Sequence, residues 1–170
     1  MDTDKKILDA CCSNRMFWLD KKNKDTLYID IREEQKGYCE ERDNFDIKPD
    51  MIADYRDLPF KDKTFKHIVW DPPHVKTKQG MAKLSSITTK KYGALHADTW
   101  RKDLKKGFEE LWRVLDDYGT MNFKFHDGSV KFEDVLKLFH TQPLYGVTTQ
   151  KKNGKETRWF TFVKVPERFV

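Results

Sequence analysis

Four short apolar runs up to Asp71 each stop at an aspartate, and this regularity constrains the fold more than any other feature of the chain. They are Lys6-Ile7-Leu8-Asp9-Ala10, Thr26-Leu27-Tyr28-Ile29-Asp30-Ile31, Asp50-Met51-Ile52-Ala53-Asp54 and Lys66-His67-Ile68-Val69-Trp70-Asp71. Short continuous apolar runs read as strands buried in a parallel sheet. Such sheets bind ligands outside the carboxyl ends of their strands, so four acids at four strand ends would share one crevice. Taken singly, an aspartate after a strand is also an ordinary turn or helix-capping residue.

The later pattern extends the same architecture. Trp100, Leu104, Phe108, Leu111, Trp112 and Leu115 recur at three- and four-residue intervals, which predicts a helix over 99–115, capped by Asp98 or Thr99. Asp116-Asp117-Tyr118-Gly119 then reads as a turn into a fifth strand, Thr120 to Phe125. Phe132, Val135, Leu136 and Phe139 suggest another helix, and Asn153-Gly154 between two apolar stretches predicts a tight hairpin. The fold class expected is α/β: a Rossmann-like, seven-stranded, mostly parallel sheet with helices on both faces and a C-terminal antiparallel hairpin.

The 170 residues suit one domain, spanning 1–170. Within it, residues 75–98 show no clear apolar period and carry Lys76, Lys78, Lys83, Lys90 and Lys91, a basic loop on the substrate side. With 36% charged and 14% aromatic residues the chain is polar yet has enough ring mass for a core. No run approaches the roughly 20 apolar residues of a membrane helix, so a cytoplasmic protein without membrane contact is expected. Net charge is +5, which permits a polyanionic partner. Cys11, Cys12 and Cys39 offer neither a disulfide framework nor metal spacing, and the five histidines form no ligand pair, so no metal is expected.

The order and spacing of Ile7-Leu8-Asp9-Ala10-Cys11-Cys12-Ser13, Asp30, Asp54-Tyr55-Arg56-Asp57-Leu58-Pro59-Phe60 and Asp71-Pro72-Pro73-His74 resemble the successive motifs of class I S-adenosylmethionine-dependent methyltransferases. Phe108 to Leu115 followed by Asp117-Tyr118-Gly119 is similar to the same superfamily's helix before strand five. The chain also resembles small phage and prophage methyltransferases. The resemblance implies S-adenosylmethionine as cofactor, with Asp9, Ala10, Cys11, Cys12 and Ser13 forming the loop around its methionine part. Asp30 would accept from both ribose hydroxyls, and Asp54, with Tyr55 as an apolar wall, would face the adenine. The usual glycine-rich first loop is missing, and Asn14 is the residue expected to take the left-handed conformation there. As plain structure, Cys11 and Cys12 are small buried fillers.

Asp71-Pro72-Pro73-His74 resembles the amino-methylating branch, whose motif starts with Asp, Asn or Ser, continues Pro-Pro and ends in an aromatic. The nitrogen of an exocyclic base amine is a poor nucleophile because its lone pair is delocalised into the ring. The Asp71 carboxylate and Pro72 carbonyl would accept its two N–H bonds and free that pair, the two prolines keeping the backbone rigid. His74 would stack on the base, or else is a turn residue after two prolines. The function expected is methyl transfer to an exocyclic amino nitrogen of DNA or RNA. One methyltransferase core fills the chain, so sequence-specific reading would need a protein partner. Two alternatives stand beside it: a methyltransferase of a nucleotide or other small molecule, and a non-catalytic binding subunit that keeps the fold.

Overall fold

The computed structural model describes residues 1–166. In chain order the elements are β1 (Ile7–Asp9), β2 (Thr26–Asp30), β3 (Met51–Ile52), β4 (Phe65–Trp70), β5 (Lys76–Thr77), α1 (Ile87–Tyr92) and β6 (Leu95–His96). They continue with α2 (Trp100–Val114), β7 (Leu115–His126), α3 (Phe132–Leu136), β8 (Tyr145–Lys152) and β9 (Lys155–Val163). Seven strands form one sheet in the order β3-β2-β1-β4-β7-β9-β8, parallel from β3 to β7 and antiparallel in the last two pairings. The sheet and its closing hairpin are those expected from the apolar runs. Asn153 and Gly154 take φ of 52° and 73°, the paired left-handed residues that a two-residue hairpin turn requires.

Among the described residues, helices do not cover both faces. One face carries α2 and α3: Phe108 stacks on Phe139 at 4.1 Å and meets Phe162 edge-on, while Phe132 meets Phe160. Those rings join Leu8, Ile68, Trp70, Met121 and Phe123 in the main core. The connections after β1, β2 and β3 contain no helix among the described residues. Residues 10–25 and 31–50 are mostly charged or polar and lack an apolar stripe of helical period, so no helix there would have a face to bury. Irregular chain covers part of the second face instead: Phe17 meets Trp159 edge-on at 5.3 Å and Trp18 meets Tyr28 at 5.1 Å.

Three local expectations change. Residues 116–119 do not form a free turn; they are an irregularity inside β7, where the register with β4 jumps from Phe65↔Leu115 to His67↔Thr120 and Tyr118 takes φ 58°. Thr99 sits at the start of α2, but its hydroxyl bonds the Asp103 carboxylate at 2.6 Å and caps no backbone N–H. Residues 75–98 are an ordered cap and not a plain loop. β5 and β6 pair in parallel, and α1 starts in a capping box between Ser86 and Thr89.

Gly107 in α2 explains how the helix lies so close to the site. A Cβ there would stand 2.3 Å from the Tyr55 ring, so the missing side chain is the seat of that ring. Gly107→Ala should therefore cost about 1–3 kcal/mol by overpacking, against the gain of about 1 kcal/mol usual for this change inside a helix. Urea unfolding midpoints of the two proteins measure the sign.

Candidate functional site

β1 lies between β2 and β4, with Asp9 beside Tyr28 and Val69, so Asp30 and Asp71 stand one step further along the neighbouring strands on the same face. Each carboxylate has its own counterpart. Asp9 is fully buried and accepts from the Cys11 amide at 3.2 Å and the Trp18 indole at 2.7 Å. Burial outweighs those bonds and, with Asp71 and Asp30 nearby, pushes its pKa up to about 7. Asp30 accepts from the Ser13 amide at 3.0 Å and from the Arg32 amide and guanidinium at 3.0 and 3.3 Å. Asp71 takes the Lys124 ammonium on Oδ2 at 2.7 Å. Burial raises the Asp71 carboxyl above its usual range, and the Lys124 charge and hydrogen bond oppose that rise.

The first loop turns without glycine. Ser13 and Arg15, at φ 44° and 57°, carry the left-handed conformations expected of Asn14. The strain at Arg15 is held by fixed partners: its guanidinium lies 3.8 Å above the Tyr28 ring and 2.9 Å from Asp50. Cys12 is buried and Cys11 half-buried, and burial lifts both thiols well above the ordinary range.

Asp54 and Tyr55 follow β3. Burial raises the Asp54 carboxyl, but the Arg56 hydrogen bonds outweigh it and hold the group below its ordinary range. Arg56 also reaches Asp103 of α2 at 2.8 Å. Tyr55 meets Trp70 edge-on at 5.6 Å.

These groups open on one cavity of about 330 Å³. Ala10, Cys11, Cys12 and Ser13 form one side of it, with Asp30, Asp54, Tyr55, Asp71, Pro73 and Lys124 around it. The 75–98 cap closes over the top through Gln79, Met81, Tyr92 and the stretch Gly93 to His96. The cap is latched: Arg32 donates to the Lys90 carbonyl at 2.7 Å and the Ser13 hydroxyl to the Lys91 carbonyl at 2.8 Å. Asp9 and Pro72 are buried, and neither lines the cavity. His74 is also outside the lining, its ring between Tyr92, Phe125 and His126 at 5.9, 6.3 and 5.4 Å. Burial, with the His126 and Lys124 charges, brings its pKa down to about 4, so the imidazole is neutral at pH 7.

The sequence motifs assign no role to Lys124, Arg32, Arg56, Asp103 and Phe17, all of which line the cavity. Lys124 had a signal, a lone cation between Phe123 and Phe125 in an apolar strand. Arg32 and Arg56, each two residues after an aspartate at a strand end, repeat one pattern: amide and guanidinium both bond the preceding acid.

A carboxyl whose pKa is raised on folding binds its proton more tightly in the folded state. Asp9 therefore contributes stability at low pH that is lost as pH rises from near 4 to about 7. Asp9→Asn removes that slope and loses one of the two accepted bonds, about 1 kcal/mol. Thermal unfolding at pH 5 and pH 8 should show the variant weaker at pH 5 and the gap narrowed or reversed at pH 8; a gap independent of pH contradicts the assignment.

No family model and no curated protein matches the chain. Solved structures do match its fold. A SAM-dependent methyltransferase from Methanosarcina mazei is 14% identical, with 98% of this chain and 95% of that one covered and a TM-score of 0.59. The Burkholderia thailandensis 1,6-didemethyltoxoflavin N1-methyltransferase, solved with that compound and S-adenosylhomocysteine, is 13% identical, covering 94% and 71% at a TM-score of 0.54. The T. thermophilus 16S rRNA N2 G1207 methyltransferase, solved with AdoMet and guanosine, is 12% identical, covering 98% and 37% at a TM-score of 0.50. At these identities the likeness is one of fold: the chain has the α/β fold of SAM-dependent methyltransferases.

Proposed function

We propose that this protein is an S-adenosylmethionine-dependent N-methyltransferase acting on an exocyclic amino nitrogen of a nucleic-acid base. One observation carries the reading: Asp30, Asp54 and Asp71, from three separate strand ends, line a single cavity with small side chains at its first loop. The groups present suit a nucleoside sulfonium. Asp30 offers acceptor oxygens beside the first loop, Tyr55 and Ile31 give apolar walls, and the side chains of Ala10, Cys11, Cys12 and Ser13 leave the backbone approachable. Bound there, S-adenosylmethionine supplies an electrophilic methyl group.

The chain's own part is orientation. Lys124 occupies Asp71 Oδ2, and Oδ1 accepts no bond from the described residues, which leaves it as the acceptor for a substrate N–H. Pro72, buried behind the wall, and Pro73, on it, fix φ and keep the backbone after Asp71 rigid. With that N–H held on Oδ1, the nitrogen lone pair turns from the ring toward the methyl donor. The proton that leaves the methylated nitrogen passes to Asp71, which the raised pKa makes a better base than an exposed carboxylate. Tyr92, in the cavity lining, is the ring available to face the base; His74 lies beside it at 5.9 Å, outside the lining.

The test is incubation with radiolabelled S-adenosylmethionine against DNA, RNA and nucleotide pools, followed by identification of the modified base. The wild type should label an amino nitrogen of a polynucleotide. Asp71→Ala should cut transfer by at least 100-fold with cofactor affinity nearly intact, and Asp30→Ala should weaken cofactor binding first. Label only in a free nucleotide or another small molecule moves the substrate to that class. No cofactor binding at all favours a binding subunit.

A further inference from the structure

Two segments without a single acidic residue, the cap over the cavity and the β8–β9 tip, lie toward the carboxyl ends of the parallel strands. Residues 75–97 carry Lys76, Lys78, Lys83, Lys90 and Lys91, and residues 144–155 carry Lys151, Lys152 and Lys155. Together they hold eight of the 33 Lys and Arg and none of the 28 Asp and Glu, so the remaining chain has 25 basic against 28 acidic residues. The positive excess is therefore confined to these two places. They share one edge of the sheet. β9 runs antiparallel to β7 with Thr157 opposite His126, which sets the β8–β9 tip at the same end as the carboxyl termini of β1, β2 and β4. Lys152 and Lys155 are exposed and make no ion pair among the described residues, and the same holds for Lys78 and Lys83 of the cap.

Between the two segments runs a ridge of rings. Tyr92 lines the cavity, His74 lies 5.9 Å from it, and His126 lies 5.4 Å from His74. All three are half-buried, so each is held by neighbours while keeping some surface. The far end of the ridge is tied to the hairpin through the His126 imidazole and the Thr157 hydroxyl, 3.0 Å apart. The near end sits under Lys91, whose ammonium is 4.9 Å from the Tyr92 ring. Rings set between lysines can hold unpaired bases by stacking and their phosphates by charge, whatever the sequence.

The geometry points to a single-stranded polynucleotide track along Tyr92, His74 and His126, with phosphates held by the cap lysines on one side and by Lys152 and Lys155 on the other. This rests on the nucleic-acid reading of the same cavity and gives it a strand form and a path. A duplex keeps its base faces stacked away from such rings, so the track selects single strands.

Fluorescence anisotropy with a labelled 12-mer, as single-stranded RNA, single-stranded DNA and duplex, at several salt concentrations, tests this. The wild type should bind a single strand at least ten-fold more tightly than the duplex, and comparison of the RNA and DNA arms identifies the polymer. K152E/K155E should weaken binding about ten-fold or more, and its log-affinity against log-salt slope should be shallower by about 1.4, from two lost phosphates at about 0.7 each. K78E/K83E probes the opposite wall independently, and thermal midpoints equal to wild type exclude misfolding as the cause. Equal binding by wild type and both variants, or duplex preference, overturns the track. Weakened single-strand binding in a protein that methylates no polynucleotide keeps the track and discards the methylation reading; methyl transfer to free nucleotides without oligomer binding overturns the track and moves the substrate to the small-molecule class.

Discussion

Three carboxylates at adjacent strand ends have to be kept from repelling one another in a poorly hydrated edge, and much of the local structure answers that requirement. Each is handled differently. Asp71 has an ammonium, Lys124, at 2.7 Å. Asp30 has a guanidinium and two amides. Asp9 has only neutral donors, which do not offset its burial, and its pKa rises to about 7. The set is coupled: removing Lys124 would leave a buried Asp71 beside Asp9, where the cost of an uncompensated charge is severe. The same bonds build the site, because Arg32, which answers Asp30, also holds the Lys90 carbonyl and so latches the cap.

The opposite face of the sheet supplies the rigidity that this arrangement needs. Phe108, Phe123 and Phe139 surround Trp70 at 6.4, 4.8 and 5.8 Å, and Phe108 stacks on Phe139 at 4.1 Å, so α2 and the turn after α3 are fixed against the central strands. Trp70 is the last residue of β4, directly before Asp71-Pro72-Pro73. Asp71 thus follows directly on a ring packed into the core, which suits the orienting role proposed for it. On the Asp30 side the walls are loop, pinned at a few points by Arg15, Trp18 and Arg32.

The sheet was legible because its strands are short apolar runs with acids at their ends, and α2 because its apolar positions repeat at helical intervals over fifteen residues. Two features misled. The expectation of helices on both faces came from the general α/β pattern, whereas residues 10–25 and 31–50 have no stripe to bury and stay irregular. The cap was unreadable as order since its elements are two to six residues long and are held by contacts distant in sequence, such as Ser13 to Lys91. Aspartates at strand ends gave the site's place, but their partners lie up to 53 residues away, as Lys124 does from Asp71, and only the strand order brings them together.

The account reduces to a nucleoside cofactor and an acceptor amine meeting between Asp30 and Asp71. A crystal structure of the protein grown with S-adenosylhomocysteine measures that directly. The account predicts the ribose on Asp30, the adenine against Tyr55, and the sulfur facing the Asp71 side of the cavity. Crystals in which the compound is absent at saturating concentration and the latched cap still fills the mouth, or in which it binds elsewhere, would contradict it.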